Sequence, residues 1–322
     1  MDEFSLIERY FTRAGRHRPD VELGIGDDAA LCHVPEGMSL VAATDTLVEG
    51  VHFPGSTPAG AVAHKALAVN LSDLAAMGAD PAWFTLALSL PQADETWLQG
   101  FADGLFSLAD RFACELVGGD TVRGPRVITV QALGLVPAGM ALLRGGAAPG
   151  DRIYVSGTLG DAALGLALEQ GRVQDEGDAG AYLRGRLDRP EPRVELGRGL
   201  RGIATAAIDI SDGLVADLGH VLKASRVGAR VSLPRIPLSS AYSSLREQAG
   251  WEPALSGGDD YELCFAVPPD KLGQLEQEAA AWSCEVCCIG EVVTGSGLFI
   301  EVTDGKEYQP QHSGHDHFSG GS

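Results

Sequence analysis

The sequence is short of cations, of aromatic side chains and of long apolar runs. Only 24 Lys and Arg stand against 44 Asp and Glu, a formal net charge of −20. So acidic a chain repels phosphate backbones and anionic membrane surfaces. That excludes nucleic acid and membrane as main partners, and it makes divalent cations the natural intermediary for any phosphorylated ligand. Aromatics are 6% of residues, but apolar content is 45%, the composition of a packed protein and not a disordered one. No apolar run is long and uninterrupted enough to span a bilayer. The opening, Met1 to Arg9, has no basic segment followed by an apolar one, so no secretory signal is expected and the expected compartment is the cytoplasm. Of six cysteines only Cys284, Cys287 and Cys288 cluster, with no second Cys or His pair at zinc spacing. They read as buried, reduced thiols in an apolar run. Also missing are a Walker A loop, a protein-kinase glycine loop with its strand lysine, and a nucleophile triad.

What is present is an alternation of strands and helices over 322 residues, long enough for two domains of ordinary size. The expected class is α/β (α+β). The small, turn-rich stretch Arg144-Gly-Gly-Ala-Ala-Pro149-Gly150 is the best boundary, giving expected domains 1–144 and 145–322. The stretch from Asn70 to Pro81 anchors the first half. A helix is predicted over Ala59–Met77, with Leu67, Leu71 and Leu74 along one face. Gly78 suits its C-terminus, Pro81 blocks continuation, and Trp83–Leu90 reads as a buried strand. Asp73 is the odd member of that helix, with no Lys or Arg three or four positions away. Buried, it requires water, a donor or a cation; on an exposed face it requires nothing.

Its company favours the cation. Gly24-Ile-Gly26-Asp27-Asp28, Thr44-Asp45-Thr46 and Gly118-Gly119-Asp120-Thr121 each set carboxylates and hydroxyls near an expected strand end. Gly24-x-Gly26-x-x-Ala29 is no dinucleotide fingerprint, because Asp27 and Asp28 would face a pyrophosphate where bare amides are required. Ligands of α/β folds gather outside strand ends, so these carboxylates can converge on Mg²⁺, which takes oxygen ligands and bridges to phosphates. In the second half, Ile208-Asp209-Ile210-Ser211-Asp212-Gly213 repeats the theme, with Ser211 or Asp212 also able to cap the helix 214–224. Gly157-Thr-Leu-Gly160-Asp161 is either an anion site at a helix N-terminus or a plain tight turn. An acidic stretch, 172–181, reads as an exposed loop. Ser256-Gly-Gly-Asp259-Asp260-Tyr261-Glu262 leads into a strand at 263–267, and His312, His315 and His317 mark the tail.

Together, Gly26-Asp27-Asp28, Thr44-Asp45-Thr46, Asn70-Leu-Ser-Asp73-Leu-Ala-Ala-Met-Gly78, Gly118-Gly119-Asp120-Thr121, Asp209-Ile-Ser211-Asp212-Gly and Gly258-Asp259-Asp260-Tyr261-Glu262 resemble the thiamine-monophosphate kinase family, from about Phe4 to Phe318. That family shares a superfamily with aminoimidazole ribonucleotide synthetase and selenophosphate synthetase. The resemblance implies an N-terminal α/β domain whose sheet pairs across a homodimer, and a C-terminal α/β domain closing over the nucleotide. It implies several Mg²⁺ held at Asp28, Thr44, Asp45, Asp73, Asp120, Asp209 and Asp212. It puts ATP at Gly119, Asp120, Arg144 and Ser211, and thiamine monophosphate at His52, Asp259 and His315. The family often has Glu at Asp259 and Tyr or Trp at His315, so both departures concern the thiamine end.

The implied acceptor is a phosphate oxygen already ionised near neutrality, so no general base or side-chain nucleophile is expected. What opposes reaction is repulsion between two phosphates, roughly 4 kcal/mol per close charge pair at an effective dielectric near 20. A cluster of Mg²⁺ on Asp28, Asp45, Asp73 and Asp120 is the apt device for direct in-line transfer. Two other readings share these motifs: a related ATP-dependent synthetase with another acceptor, and a non-catalytic sensor of Mg²⁺-nucleotide or thiamine phosphates.

Overall fold

The computed structural model describes residues 3–13, 18–175, 177–303, 305–312 and 314. They form two compact units: Met1–Leu74 with Ala79–Gly139, and Ala75–Gly78 with Met140–Ser322.

The first unit runs α1 (Glu3–Tyr10), β1 (Val21–Leu23), β2 (Leu31–Cys32), β3 (Met38–Val48), α2 (Ala59–Ala76), β4 (Asp80–Leu90), α3 (Glu95–Arg111), β5 (Glu115–Arg123) and β6 (Val127–Pro137). Its four-stranded sheet has the order β3-β6-β4-β5 and is antiparallel except for the parallel pair β4/β5. Residues 61–72 of α2 are buried without exception, His64, Lys65, Asn70 and Ser72 included, so this helix is enclosed on every side and is not a surface helix with one apolar stripe. It ends where expected: Gly78 takes φ +65°, and the Ala79 N–H bonds the Leu74 carbonyl at 2.7 Å. Pro81 lies inside β4 and not before it. The ladder to β6 shifts register between Pro81 and Trp83, which accommodates a residue without an N–H. Asp94 caps α3 by accepting the Thr96 and Trp97 N–H groups at 2.9 and 3.0 Å.

The second unit runs β7 (Arg152–Ser156), α4 (Asp161–Glu169), α5 (Ala179–Asp188), α6 (Val194–Gly199), β8 (Ala206–Asp209), α7 (Leu214–Ser225), β9 (Gly228–Ser232), α8 (Ser240–Ala249), α9 (Glu252–Ser256), β10 (Leu263–Val267), α10 (Leu272–Ala279), β11 (Val286–Val293), β12 (Gly297–Glu301) and β13 (Glu307–Tyr308). Its seven strands are ordered β13-β12-β9-β11-β7-β10-β8, with β9/β12 the one parallel pair. Val155, Ile208, Leu218, Val221, Tyr242 and Ile289 share its core. The class is the expected mixed α/β (α+β). Among the described residues no helix is long and apolar enough to cross a membrane.

Candidate functional site

In the first unit the structure brings Asp45 and Asp73 into a side-chain hydrogen bond. Burial pushes the Asp45 carboxyl above its usual range, and the bond to Asp73 opposes that rise. Two carboxyls within one hydrogen bond share a proton, or a cation takes the proton's place. Asp45 was expected in a loop past its strand. It lies instead within β3, opposite Val130, because the eleven-residue ladder to β6 runs through it. Its backbone N–H donates to Asn70 Oδ1 at 3.1 Å, and Asn70 Nδ2 donates to the Ala66 carbonyl at 3.0 Å.

Strand register separates the other candidates. Asp45, Val130, Leu86 and Gly119 form one cross-sheet row; Thr46, Thr129, Ala87 and Asp120 form the next. Adjacent rows point to opposite faces. Asp120, also within its strand and not past it, is therefore on the opposite face from Asp45 and three strands away. Thr44, next to Asp45 in β3, likewise turns its hydroxyl to the other face. Asp28 is exposed, its N–H donating to Asp27 Oδ1 at 2.8 Å. Gly119 is required where it stands, since a Cβ there would meet the Leu86 carbonyl oxygen at 1.9 Å. His52 Nδ1 accepts the Val48 N–H at 3.0 Å, which in the neutral ring leaves the proton on Nε2. Among the described residues, no three His, Cys, Asp or Glu are gathered closely enough to hold a metal ion.

In the second unit Asp209 is buried at the end of β8, and Ser211 and Asp212 follow, half-buried. Neither caps α7. Gly213 is the N-cap and offers no side chain; Asp217, inside the first turn, reaches back instead. Its Oδ2 accepts the N–H groups of Ser211, Asp212 and Gly213, each at 3.0 Å. Burial first, and then the charges of Asp209 and Asp212, push the Asp217 carboxyl up to about 7. Asp259 holds φ +67° and Tyr261 φ +51°, an unusual pair for residues with side chains. The Asp259 N–H donates to the Ser211 carbonyl at 2.9 Å, and its Oδ1 accepts the Tyr261 hydroxyl at 3.1 Å. Arg144 is exposed. His315 lies outside the described residues.

The Gly157–Asp161 loop is not an anion site. The Gly160 N–H at the head of α4 donates to Asp260 Oδ2 at 2.8 Å. Asp161 beside it is fully buried and accepts Thr158 Oγ1 at 2.6 Å and Ser239 Oγ at 2.5 Å. The protein's own carboxylates already occupy that helix terminus. Glu262 is also fully buried and accepts Arg186 Nη2 at 2.8 Å, Arg193 Nε at 2.6 Å and Ser156 Oγ at 2.5 Å. All six cysteines are free thiols; Cys284, Cys287 and Cys288, expected to be buried, are half-buried, and burial pushes Cys114 and Cys264 up to about 12.

Comparison with known proteins places these motifs. Residues 26–136 match the family model of the AIR synthase related protein N-terminal domain, and residues 148–303 match its C-terminal domain. The thiamine-monophosphate kinase of Escherichia coli (strain K12) is 51% identical over 98% of both chains. The chain belongs to the thiamine-monophosphate kinase family. A crystal structure of thiamine-monophosphate kinase from Stenotrophomonas maltophilia K279a superposes with a TM-score of 0.84 at 49% identity, covering 90% of this chain and 93% of that one. A structure of AaThiL complexed with AMPPCP and TMP is 34% identical with a TM-score of 0.76, covering 91% and 92%.

Three supporting residues of the family member have no role in the motif reading. Asn70, Asp217 and Glu262 are buried polar groups whose partners are backbone amides or arginines distant in sequence. The signal that singles out Asp73, a polar residue in an apolar helical run, applies equally to Asn70 and Asp217.

Proposed function

We propose that this chain phosphorylates thiamine monophosphate with ATP, giving thiamine diphosphate and ADP. The match at 51% identity over 98% of both chains carries the reading, because it spans both units. The ATP analogue and TMP held by AaThiL are the matching pair of ligands.

Transfer is direct and in line, on Mg²⁺ held by carboxylates. The hydrogen-bonded Asp45–Asp73 pair supports the metal: all-oxygen donors, crowded enough to share a proton, suit a hard divalent cation. Bound there, Mg²⁺ would neutralise phosphate charge and align donor with acceptor. Asp28, Thr44, Asp120, Asp209 and Asp212 are the further metal positions; Gly119, Asp120, Arg144 and Ser211 meet ATP. His52, through Nε2–H, and Asp259 and His315 meet thiamine monophosphate. The unit with the four-stranded sheet serves metal and dimer, and the other serves nucleotide and substrate.

The working form is a homodimer. Both sheet edges, β3 and β5, are unpaired among the described residues, and Leu40 and Val122, 49% and 51% exposed, lie in rows on the face of Asp120. Six free thiols and an ATP requirement suit the cytoplasm. ADP release should be measured with thiamine monophosphate, an aminoimidazole precursor or selenide as acceptor. Release with thiamine monophosphate alone is expected. Release with either of the others alone, or with none, overturns the reading.

A further inference from the structure

Asp217 is 3% exposed, with its carboxylate beneath the loop that carries Ser211 and Asp212. Three successive amides converge on one of its oxygens, and its own N–H bonds the Gly213 carbonyl at 3.0 Å. The loop is held from its other side as well. The Ser211 carbonyl takes the Asp259 N–H at 2.9 Å, and the Ile210 carbonyl takes the Tyr261 N–H at 2.8 Å. Gly213, at φ +116°, is wedged so tightly that a Cβ would lie 2.9 Å from the Ser256 carbonyl carbon. With its backbone amides engaged, what this segment can offer a ligand is its side chains.

A helix start alone does not call for this arrangement. A neutral Ser or Asn at the cap satisfies an amide or two at the surface. A buried carboxylate is costly unless its oxygens are bonded, and one oxygen here takes three successive amides. What it supplies is rigidity, since one carboxylate oxygen ties three successive amides where a surface cap ties one or two.

The geometry points to Asp217 as a positioning residue for nucleotide binding: it touches no ligand, and it sets the backbone from which Ser211 and Asp212 reach the metal–nucleotide. This rests on the reading of those two residues given above. Asp217→Asn retains an acceptor but loses the charge, and Asp217→Ala removes both. Calorimetry with Mg²⁺ and a non-hydrolysable ATP analogue should show binding weakened about tenfold in Asp217→Asn and more in Asp217→Ala. The KM for thiamine monophosphate should stay within about twofold and the Asn variant should melt within a few degrees of the parent. If Asp217→Ala does not fold, the Asn variant decides. Unchanged analogue affinity in the folded Asn variant overturns the assignment, as does an equal loss for nucleotide and acceptor, the mark of a merely smaller folded fraction. A parent chain that binds the analogue but does not phosphorylate thiamine monophosphate counts against the proposed function, while the binding ratio between parent and Asn variant still decides this inference.

Discussion

Asn70 Oδ1 accepts the backbone N–H of Asp45 at 3.1 Å, tying the middle of β3 to the helix that carries Asp73. The bond fixes the Asp45–Asp73 pair from behind. Asn70→Leu keeps the branched shape but strands a part-buried amide, which costs about 1–3 kcal/mol. The variant should unfold at lower denaturant concentration and lose activity with it. An unchanged unfolding midpoint would show that the bond contributes nothing.

Asp73→Asn should leave the protein folded and remove most activity, with excess Mg²⁺ restoring little. The amide can still bond Asp45, so the fold is kept, but it is a poor ligand for a hard cation. Circular dichroism and initial rates over a Mg²⁺ series check this. Near-normal turnover would make Asp73 an ordinary helix residue.

Much of this was legible because apolar periodicity is local. The helix α2, its Gly78 terminus and strand β4 follow from spacing alone. Helix α8 does not: Ser240-Ala-Tyr-Ser-Ser-Leu-Arg-Glu-Gln-Ala249 buries only Tyr242 and Leu245, too few for a periodic signal. In the expected loop at 172–181, residues 172–175, 177 and 178 are irregular, but α5 begins at Ala179. The acidic motifs were visible, but their faces were not. Whether Asp45 and Asp120 share a face depends on strand register, which is set by pairing between distant segments. The anion-site reading of Gly157–Asp161 failed for the same reason, since Asp260 lies a hundred residues away.

Asp260 is buried, with Oδ1 lacking a hydrogen-bond partner among the described residues. Burial raises its carboxyl well above the ordinary range. The folded protein therefore holds this proton where the unfolded chain releases it. Stability from this group is complete below the ordinary carboxylate pKa near 4 and is lost as pH rises from there toward the raised folded value. Asp260→Asn mimics the protonated acid and keeps an acceptor for the Gly160 N–H. Denaturant unfolding at pH 5 and pH 8 should show a smaller fall with pH in the variant. An identical fall would mean that Asp260 is ionised in the folded state.

Glu262 is the anion for two largely buried arginines, with side chains 14% and 13% exposed at Arg186 and Arg193. Removing one member of a buried ion pair costs about 3–5 kcal/mol, because the partner's charge remains. Glu262→Gln should lose stability on that scale in equilibrium unfolding. A loss below about 1 kcal/mol would place the pair with surface bridges.

The central claim is direct transfer of the γ-phosphoryl group from ATP to thiamine monophosphate, and labelled ATP tests it most directly. The acceptor phosphate oxygen is itself a competent nucleophile, so no covalent step on a side chain is needed. With γ-labelled ATP and Mg²⁺ but no acceptor, the polypeptide should remain unlabelled. On adding thiamine monophosphate, the label should appear in thiamine diphosphate, one for each ADP formed. Stoichiometric labelling of the chain that passes on to the acceptor, or label that never reaches thiamine diphosphate, would contradict the account.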